Sequence, residues 1–395
     1  MAVGCQLPAG PRSGPRTVPS GPRPPRAMSP PQRGSKTVTA SSGSGTGAGG
    51  PPRGSQLPPT PRLSAAPRLP LRCLCRDLLG ARRWPPGSGT RPAANGSLRP
   101  PSAMAGSPGL KPLVAVCQLT STPDKELNFA ACAGLVREAA RHGACLVFLP
   151  EGFDYIGSNA AETLSLAESL DGDLLGRYAG LARDCGVWLS LGGFHERGRD
   201  WPTTQRIYNC HVLLDPAGCR VAAYRKTHLC DVELEGRVTM KESSFTNPGP
   251  EIVPPVSTPA GKLGLSICYD LRFPEISLAL RRAGAEILTY PSAFTVTTGS
   301  AHWEVLLRAR AIESQCYVVA AAQTGKNHER RTSYGHSLVV DPWGSVVAQC
   351  REGPGLCYAE IDLDYLHRVR REIPVHSHRR PDLYGTVAAA GAPAP

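Results

Sequence analysis

Short apolar runs alternate with stretches of helical periodicity over residues 111–384. The runs LVAVCQL (113–119) and CLVFLP (145–150) are continuously apolar and predict buried strands. Between them, apolar residues recur at helical spacing over residues 124–142. A second helix is predicted over 174–186, where a terminal glycine suits a C-cap. The first part of this pattern is therefore a strand–helix–strand–helix sequence.

The same alternation continues through the second half of the chain. Three further strands are predicted at 188–194, 207–215 and 220–229, and a turn signal at 216–218 joins the last two. Strand and helix then alternate over 261–270, 274–285, 285–294, 301–316 and 317–324. A hairpin is predicted over 336–350. This alternation predicts an α/β fold with buried sheets, but it leaves the order of the strands open.

Charge separates the beginning of the chain from the rest. Residues 1–112 hold 16 of the 44 Lys and Arg residues and a single acid, Asp77. The remainder has 28 basic and 31 acidic residues, a net charge of −3, so the +12 of the whole chain belongs to its leading segment. The basic balance of the chain is therefore no indication that its folded part binds nucleic acid.

Residues 1–110 are rich in Pro, Gly, Ser and Arg, and this composition has too little apolar surface to offset its chain entropy. We expect this extension to be disordered, and we expect the same of a short tail at 386–395. Arg-rich, nearly acid-free sequence is also typical of a mitochondrial transit segment, although prolines from Pro8 onward break the amphipathic helix that such a signal needs. Met28 and Met104 are alternative starts. The sequence thus predicts a cytoplasmic protein with a mitochondrial fraction.

Cysteine and histidine usage gives no sign of a disulfide framework or a metal site. The 14 cysteines are scattered through apolar runs, so most of them are predicted to be reduced core residues. Cys73-x-Cys75 and His376-x-His378 lack the second pair that a zinc site requires, and no metal is expected. No secretory signal and no run of about 18 apolar residues appears, so neither export nor membrane spanning is predicted.

Three polar residues stand at the ends of apolar strands, where loops present catalytic groups. Glu151 follows CLVFLP directly and is either solvated or held in a cleft, with a raised pKa that suits a general base. Lys226 lies on the otherwise apolar strand AAYRKTHL and either extends to solvent or offers a fixed charge to an oxyanion. Cys268 lies where the strand GKLGLSICYD stops, shortly before a helix that Pro274 opens. Of the cysteines, it is the least typical of a core position.

Cys268 is the candidate nucleophile. A free thiol is only a few per cent ionised near neutral pH, so an adjacent base or positive charge must raise the thiolate fraction. The backbone N–H of Tyr269, near a helix start, is placed to donate to an oxyanion on the acyl carbon. A protease-type Cys–His dyad is the rival arrangement, and spacing does not choose among His195, His211, His228, His302 and His336.

The strings LPEGF, YRKTHL and ICYDLRFPE, in this order, resemble the Glu, Lys and Cys motifs of the nitrilase superfamily of carbon–nitrogen hydrolases. Flanking strings, among them GGFHERG, GHSLVVDPWG and RRPDLYG, are also similar to that family. The resemblance extends over residues 111–385, which we take as the hydrolase domain. TSTPDKELNF, KTHLCDVEL and EGPGLCYAEIDL fit the Nit amidase branch, whose members include amidases acting on deaminated glutathione.

The resemblance implies a nitrilase-like four-layer α-β-β-α sandwich, which the alternating pattern permits. It also implies that Glu151 takes the proton of Cys268 and later activates water. Lys226, with the Tyr269 N–H, would then stabilise the tetrahedral oxyanion. Glu242, in the string MKES, matches a second family carboxylate that orients substrate and Lys226. From its neighbours alone, Glu242 is a solvated residue of a polar loop.

The implied reaction is hydrolysis of a small-molecule amide through a thioester on Cys268. It needs no cofactor, because the nucleophile, base and oxyanion donors are all protein groups. The implied substrate is glutathione deaminated to its 2-oxo form, which gives 2-oxoglutarate and cysteinylglycine in a metabolite-repair reaction. An ω-amidase or N-carbamoyl amidase of the same superfamily, and a non-catalytic signalling or growth-suppressing partner, stay open as alternatives.

The family further implies at least a homodimer. One departure from its pattern is Ser300, within Gly299–His302, where the family has proline. We expect this departure to change a loop near the pocket.

Overall fold

The computed structural model describes residues 111–234 and 238–391. In these residues the chain forms sixteen strands and eight α-helices. The strands are β1 (Leu113–Leu119), β2 (Leu146–Leu149), β3 (Trp188–Glu196), β4 (Tyr208–Leu214), β5 (Arg220–Arg225), β6 (Asp231–Leu234), β7 (Val238–Lys241), β8 (Val256–Thr258), β9 (Gly261–Gly264), β10 (Ile287–Thr289), β11 (Tyr317–Ala320), β12 (Ala322–His328), β13 (Arg331–Tyr334), β14 (Leu338–Val340), β15 (Val346–Gln349) and β16 (Gly355–Glu360). The helices are α1 (Lys125–Arg141), α2 (Ala160–Leu166), α3 (Asp173–Cys185), α4 (Trp201–Thr204), α5 (Pro274–Arg282), α6 (Val296–Ser314), α7 (Leu363–Glu372) and α8 (Pro381–Tyr384). Two short 3-10 helices cover Glu242–Ser244 and Cys268–Arg272.

The strands form two large sheets and one hairpin. The first sheet has the order β13-β12-β1-β2-β3-β4-β5, and β16 also pairs with β1. The second sheet has the order β15-β14-β11-β10-β9-β8, and β6 pairs with β7 alone. Strands β1, β2 and β3 are parallel, as are β9, β10 and β11. The carboxyl ends of neighbouring parallel strands therefore share one edge in each sheet, which is where ligands bind in such sheets.

Strand β1 illustrates how one strand serves two hydrophobic cores. Val114 and Val116 pack in the core that joins the first sheet to the second and to α5 and α6. Ala115 and Cys117 face the other way, into the core that contains α1 and α3. Because side chains alternate across a strand, a continuous apolar run is needed to fill both cores. The layers are therefore helices, sheet, sheet and helices, and the predicted α-β-β-α sandwich is confirmed.

Most predicted elements are confirmed, with shorter strands than the apolar runs suggested. Strand β1 has the predicted bounds, and α3 is capped at its C-terminus by Gly186 in the left-handed conformation, with φ of 64°. The predicted strand 261–270 is wrong beyond Gly264, where β9 ends. The predicted strand 317–324 is two strands in different sheets, β11 and β12, because the chain crosses from one sheet to the other at Ala321.

The predictions for residues 1–110, including the transit segment, lie outside the described residues, as do residues 392–395. The structure describes the first six residues of the predicted tail, where the N–H of Ala390 donates to the carbonyl of Ala279 at 3.1 Å. Eleven cysteines lie in the described ranges, and all of them are free thiols. Among the helices in these ranges, none combines the length and the apolar composition that crossing a membrane would need.

Candidate active site

Glu151 is the second residue after β2, at the edge where the parallel strands of the first sheet end. The side-chain amide of Gln323 fixes this loop by donating to the carbonyl oxygens of Glu151 (3.1 Å) and Gly152 (3.2 Å). Asn209, on β4, donates from Nδ2 to Oε1 of Glu151 at 2.9 Å. The Glu151 side chain is 12% exposed, so it is held in a cleft rather than solvated.

Lys226 is the first residue after β5, not a residue within the strand as predicted. Its ammonium lies 3.1 Å from Oε1 of Glu151 and 2.9 Å from Oε2 of Glu242. Only 2% of the side chain is exposed, which excludes the alternative that it extends to solvent. Burial by itself lowers the pKa of Lys226, but the two carboxylates outweigh it and raise that pKa well above its ordinary value. The side chain is therefore a fixed positive charge.

Glu242 is the first residue of a 3-10 helix and is buried against Lys226. Its oxygens accept hydrogen bonds from Lys226 and from the backbone N–H of Cys230 at 2.6 Å. Asn209 Nδ2 lies 3.3 Å from Oε1 of Glu242. The polar string around Glu242 favoured a solvated side chain, but the hairpin β6–β7 returns the chain to the cavity. The structure thus places Glu242 against Lys226.

Cys268 lies on a sharp turn. The chain after β9 runs extended to Ile267, and Cys268 then begins a 3-10 helix with φ of 45°. This left-handed conformation is uncommon for a residue other than glycine and persists only where surrounding contacts hold it. One such contact is the Cys268 N–H, which donates to the carbonyl of Pro291 at 2.9 Å. The turn brings the Cys268 side chain to the same cavity as Glu151 and Lys226.

The charges around Cys268 keep its thiol protonated at rest. Burial, and then the Glu151 carboxylate, raise the pKa of Cys268 well above its ordinary value, against the opposing effect of Lys226. Burial also acts to raise the pKa of Glu151, but Lys226 and the Cys268 thiol outweigh it and hold that pKa below its ordinary value. The expected raised pKa of Glu151 is therefore wrong, and so is the expected increase in thiolate. The resting pair is a thiol beside an ionised carboxylate, ready for proton transfer during attack.

The site opens into a cavity of about 490 Å³, a size that suits a small molecule. Apolar and aromatic side chains form part of its lining, among them Tyr269, Phe245 and Phe294. Arg272 and Arg331 also line it and add two guanidinium groups. Arg331 donates from Nη2 to the carbonyl of Ala293 at 3.2 Å, while its buried Nε has no partner among the described residues. The cavity therefore favours small molecules with negative charge.

The rival Cys–His dyad is not formed by the five candidate histidines. In the part of the chain that the structure describes, none of them is hydrogen-bonded to Cys268. His195 lines the cavity, but its Nδ1 contacts Asp154 at 3.0 Å. Nδ1 of His228 contacts Asp270 at 2.8 Å. His211 is fully buried, and burial lowers its pKa to about 4, so it stays neutral.

The Ser300 departure lies in a helix rather than in a loop, so the expected change of a pocket loop is wrong. Thr295 caps α6 by accepting the N–H of Thr298, and the helix continues through Ser300. The Ser300 hydroxyl donates to the carbonyl of Thr297 at 3.3 Å. Thr298 lines the cavity, whereas Ser300 is exposed.

Three further residues that contact the site or its flanking residues were not predicted from the sequence. Asn209 contacts both carboxylates of the site, and its only signal was a polar side chain in the apolar run IYNCHVLL. Gln323 holds the Glu151 loop from the first residues of β12. Asp270 is fully buried beneath the Cys268 turn. Asn209 and Gln323 reach the site from distant parts of the chain, so their spacing gives no indication of it. Asp270 is two residues from Cys268, but its contacts with the Lys226 segment are not visible in the sequence.

The part of the chain that contains the site is similar to a known family and to known proteins. The model of the carbon–nitrogen hydrolase family matches residues 113–371. Deaminated glutathione amidase from Homo sapiens is 71% identical over 276 residues, which cover 70% of this chain and 84% of the relative.

Two solved structures share the fold. The crystal structure of the C. elegans NitFhit protein has a TM-score of 0.66 and 52% identity, and the match covers 70% of this chain and 66% of that one. A mutant of the amidase from Nesterenkonia sp. AN1, showing covalent addition of the acetamide moiety of fluoroacetamide at the active site cysteine, has a TM-score of 0.58 and 26% identity. That match covers 70% of this chain and 97% of the amidase.

Proposed function

The chain belongs to the carbon–nitrogen hydrolase family, and we propose that it hydrolyses deaminated glutathione to 2-oxoglutarate and cysteinylglycine, a metabolite-repair reaction. One observation carries the proposal: the side chains of Glu151, Lys226 and Cys268 surround a single cavity. The substrate is supported by the name of the human relative, which is 71% identical over 276 residues.

The first half of the reaction forms a thioester. The Cys268 sulfur attacks the amide carbonyl carbon while its proton passes to the Glu151 carboxylate. The carbonyl oxygen becomes an oxyanion, and the Lys226 ammonium stabilises it together with the backbone N–H of Tyr269. When the carbon–nitrogen bond breaks, Glu151 returns its proton to the nitrogen, and the amine of cysteinylglycine leaves. Glu242 keeps Lys226 charged and oriented through both steps.

The second half releases the acid. Glu151, again a carboxylate, takes a proton from water, and the resulting hydroxide attacks the thioester carbon. The second oxyanion meets the same donors. The carbon–sulfur bond then breaks, and the departing thiolate takes the proton from Glu151, because burial and the neighbouring carboxylate raise the pKa of Cys268. The starting thiol and carboxylate are restored, and the described side chains suffice for every proton transfer.

The charge of the cavity supports an anionic amide. The proposed substrate carries one carboxylate on its 2-oxo acid end and another on its glycine end. Lys226 is engaged by Glu151 and Glu242, whereas Arg272 and Arg331 have no carboxylate partner within the described ranges. Guanidinium groups bind carboxylates with paired hydrogen bonds. We therefore assign substrate carboxylates to these two arginines.

Intact-mass spectrometry during turnover tests the proposal. We expect a 2-oxoglutaryl adduct on the wild-type protein and on Cys219→Ser, an exposed thiol outside the cavity lining. Cys268→Ala should form no adduct and show no turnover, while its circular dichroism spectrum stays that of the wild type. An adduct that persists in Cys268→Ala would remove this cysteine as the nucleophile.

Steady-state kinetics on three amides separates the alternatives within the superfamily. We expect kcat/KM to be highest for deaminated glutathione, against 2-oxoglutaramate and N-carbamoyl-β-alanine. A higher value for either of the others would assign the chain to ω-amidases or N-carbamoyl amidases. A non-catalytic role would be favoured if Cys268→Ala kept every cellular effect of the protein.

We further propose that the protein is a homodimer that associates through the outer face of α6. Val305 and Ile312, seven residues apart on that helix, are 67% and 50% exposed. The turn between β14 and β15 extends this face, because Arg308 binds the carbonyl of Gly344 at 2.8 Å and the adjacent Trp343 is 54% exposed. Exposed apolar side chains that share one side of the molecule support an association surface there.

The predicted distribution between cytoplasm and mitochondrion depends on residues 1–110 and stays a prediction. Comparing the full chain with a chain that starts at Met104, each fused to a fluorescent protein, tests it. Mitochondrial signal that is confined to the full chain would support a transit function.

A further inference from the structure

We propose that Asp270 is a positioning residue that fixes Lys226 relative to Cys268. Asp270 is fully buried, lies two residues after Cys268, and does not line the cavity. Its two carboxylate oxygens nevertheless accept hydrogen bonds from both chain segments that carry these residues. Neither segment is a neighbour of the other in sequence, so this carboxylate is a direct tie between them.

On the lysine side, Asp270 contacts the residues that flank Lys226. Oδ1 accepts from the backbone N–H of His228 at 3.2 Å, from its Nδ1 at 2.8 Å, and from the Thr227 hydroxyl at 3.3 Å. Oδ2 accepts from the hydroxyl of Tyr224, on β5, at 2.8 Å. The chain that carries Lys226 is therefore anchored to Asp270 on both sides of the lysine.

On the cysteine side, Asp270 closes the turn that Cys268 occupies. Oδ2 accepts from the backbone N–H of Ile267 at 2.9 Å, and the Asp270 N–H donates to the Ile267 carbonyl at 3.0 Å. These two hydrogen bonds span Cys268 and hold it at its φ of 45°. The same carboxylate thus secures the strained turn and the lysine segment at once.

Every partner of this carboxylate donates, which makes both oxygens necessary. Asparagine at this position would replace one acceptor oxygen with an NH2 group. If the NH2 took the place of Oδ2, it would face the Ile267 N–H, and if it took the place of Oδ1, it would face the His228 N–H. The Tyr224 hydroxyl and the His228 ring could turn to accept, but a backbone N–H cannot. Either orientation leaves one backbone N–H, that of Ile267 or that of His228, without its acceptor and so weakens the anchoring of that segment.

Loss of an anchor should slow the chemical step more than it weakens binding. Lys226 meets the oxyanion only after attack has begun, so its misplacement raises the barrier without removing a contact to bound substrate. Displacements on the order of 1 Å in such a site cost roughly 10²-fold in rate. We expect Asp270→Asn to lower kcat by about 10- to 100-fold, with KM changed by less than about 3-fold.

The measurement must separate positioning from simple loss of folded protein. We would count reactive Cys268 thiols by iodoacetamide labelling and mass spectrometry, and express kcat per labelled site. Asp341→Asn is the matched control: Asp341 is also a buried aspartate that accepts two backbone N–H groups, those of Trp343 and Ser345, but it lies in the β14–β15 turn outside the cavity lining. Asp341→Asn should keep the wild-type kcat per site.

A normal kcat per site in Asp270→Asn, whether or not fewer sites remain, would overturn the proposal. If Asp270→Asn does not fold, Tyr224→Phe removes one donor to Oδ2 while it keeps the buried ring, and should lower kcat per site by about 2- to 10-fold. An unchanged kcat per site in that variant would equally reject the role.

A double-variant comparison tests whether the effect passes through Lys226. The rate of Cys268 alkylation by iodoacetamide needs no substrate, so its outcome is independent of the proposed function. Lys226 lowers the pKa of Cys268, and moving it should slow alkylation in Asp270→Asn. In a Lys226→Ala background the same substitution should have little further effect. An equal decrease in both backgrounds would show that Asp270 does not act through Lys226.

Discussion

Lys226 is the residue whose removal isolates electrostatic stabilisation at this site. Its ammonium lies between Glu151 and Glu242, and it is the one cation among the described residues that touches both carboxylates. Lys226→Ala should lower kcat by about 10²- to 10³-fold, as loss of an oxyanion donor does elsewhere. Lys262→Ala, which removes an exposed lysine of β9, should leave kcat unchanged. Equal activity in the two variants would remove Lys226 from the mechanism.

The ionisation of Glu151 sets the acid side of the pH profile. Only its carboxylate form accepts the thiol proton, and its pKa is held below the ordinary value by Lys226. Activity should therefore persist as pH falls through the usual carboxyl range near 4.3 and be lost below it. In Lys226→Ala the ammonium no longer opposes the effect of burial, so the pKa of Glu151 should rise. The acid limb of the plot of kcat/KM against pH should then move to higher pH. A limb at the same pH in both proteins would contradict this account.

The sequence could indicate Glu151, Lys226 and Cys268 as candidate catalytic residues, because each is a reactive residue at the end of an apolar run. It could not indicate their protonation states. The pKa of Glu151 depends on an ammonium 75 positions away in the chain, whose proximity only the fold creates. The contacts of Asp270 could not be predicted for a similar reason, since its five donors come from two segments that are separate in sequence.

The end of β5 depends on a close backbone approach at Gly249. The Gly249 N–H donates to the carbonyl of Lys226 at 2.8 Å, and a Cβ at this position would lie 2.0 Å from the carbonyl oxygen of Arg225. Gly249→Ala must therefore displace the chain that carries Lys226. We expect kcat to fall by about 10-fold or more and the free energy of unfolding to fall by about 1–3 kcal/mol.

Gly134→Ala is the matched control for that substitution. Gly134 lies within α1, and a Cβ there would meet nothing within 4 Å. Alanine should raise the free energy of unfolding by about 0.5–1 kcal/mol, because it restricts the unfolded chain and favours the helix. Urea denaturation gives the free energy of unfolding of both variants, and steady-state kinetics gives their kcat. A wild-type kcat in Gly249→Ala would mean that the β5 terminus tolerates the displacement.

Element boundaries were harder to predict than element types, because pairing ends a strand before its apolar run ends. Residues 265–267 are as apolar as β9, yet they leave the sheet and bring Cys268 to its turn. The apolar run YVVAAAQT predicts one strand, but the chain crosses from one sheet to the other at Ala321. Both transitions place site residues, and both are decided by partners that are distant in sequence.

The reactive groups lie where the two large sheets meet. Glu151 and Lys226 follow strands of the first sheet, while Cys268 follows a strand of the second. The alternating pattern predicted the buried strands, but only the family resemblance supplied the second sheet and the stacking of four layers. Strand order is set by long-range pairing, such as that of β1 with β12 and β16. Local periodicity predicts the type of an element but not its pairing partner.

The outer face of α6, in one of the two helix layers, is the proposed surface of assembly. If two copies meet through α6, a carboxylate at Val305 and another at Ile312 would have to be buried without a partner, which is strongly unfavourable. The wild-type protein should therefore elute at twice the chain mass in size exclusion with light scattering, and the double variant Val305→Asp, Ile312→Asp at the chain mass. Leu127→Asp, which changes an exposed leucine of α1 in the opposite layer, should remain dimeric. A stable interface buries about 800 Å² on each partner, and a dimer of that kind persists at micromolar concentration. A wild-type protein that is monomeric at this concentration would therefore rule out this face as the interface.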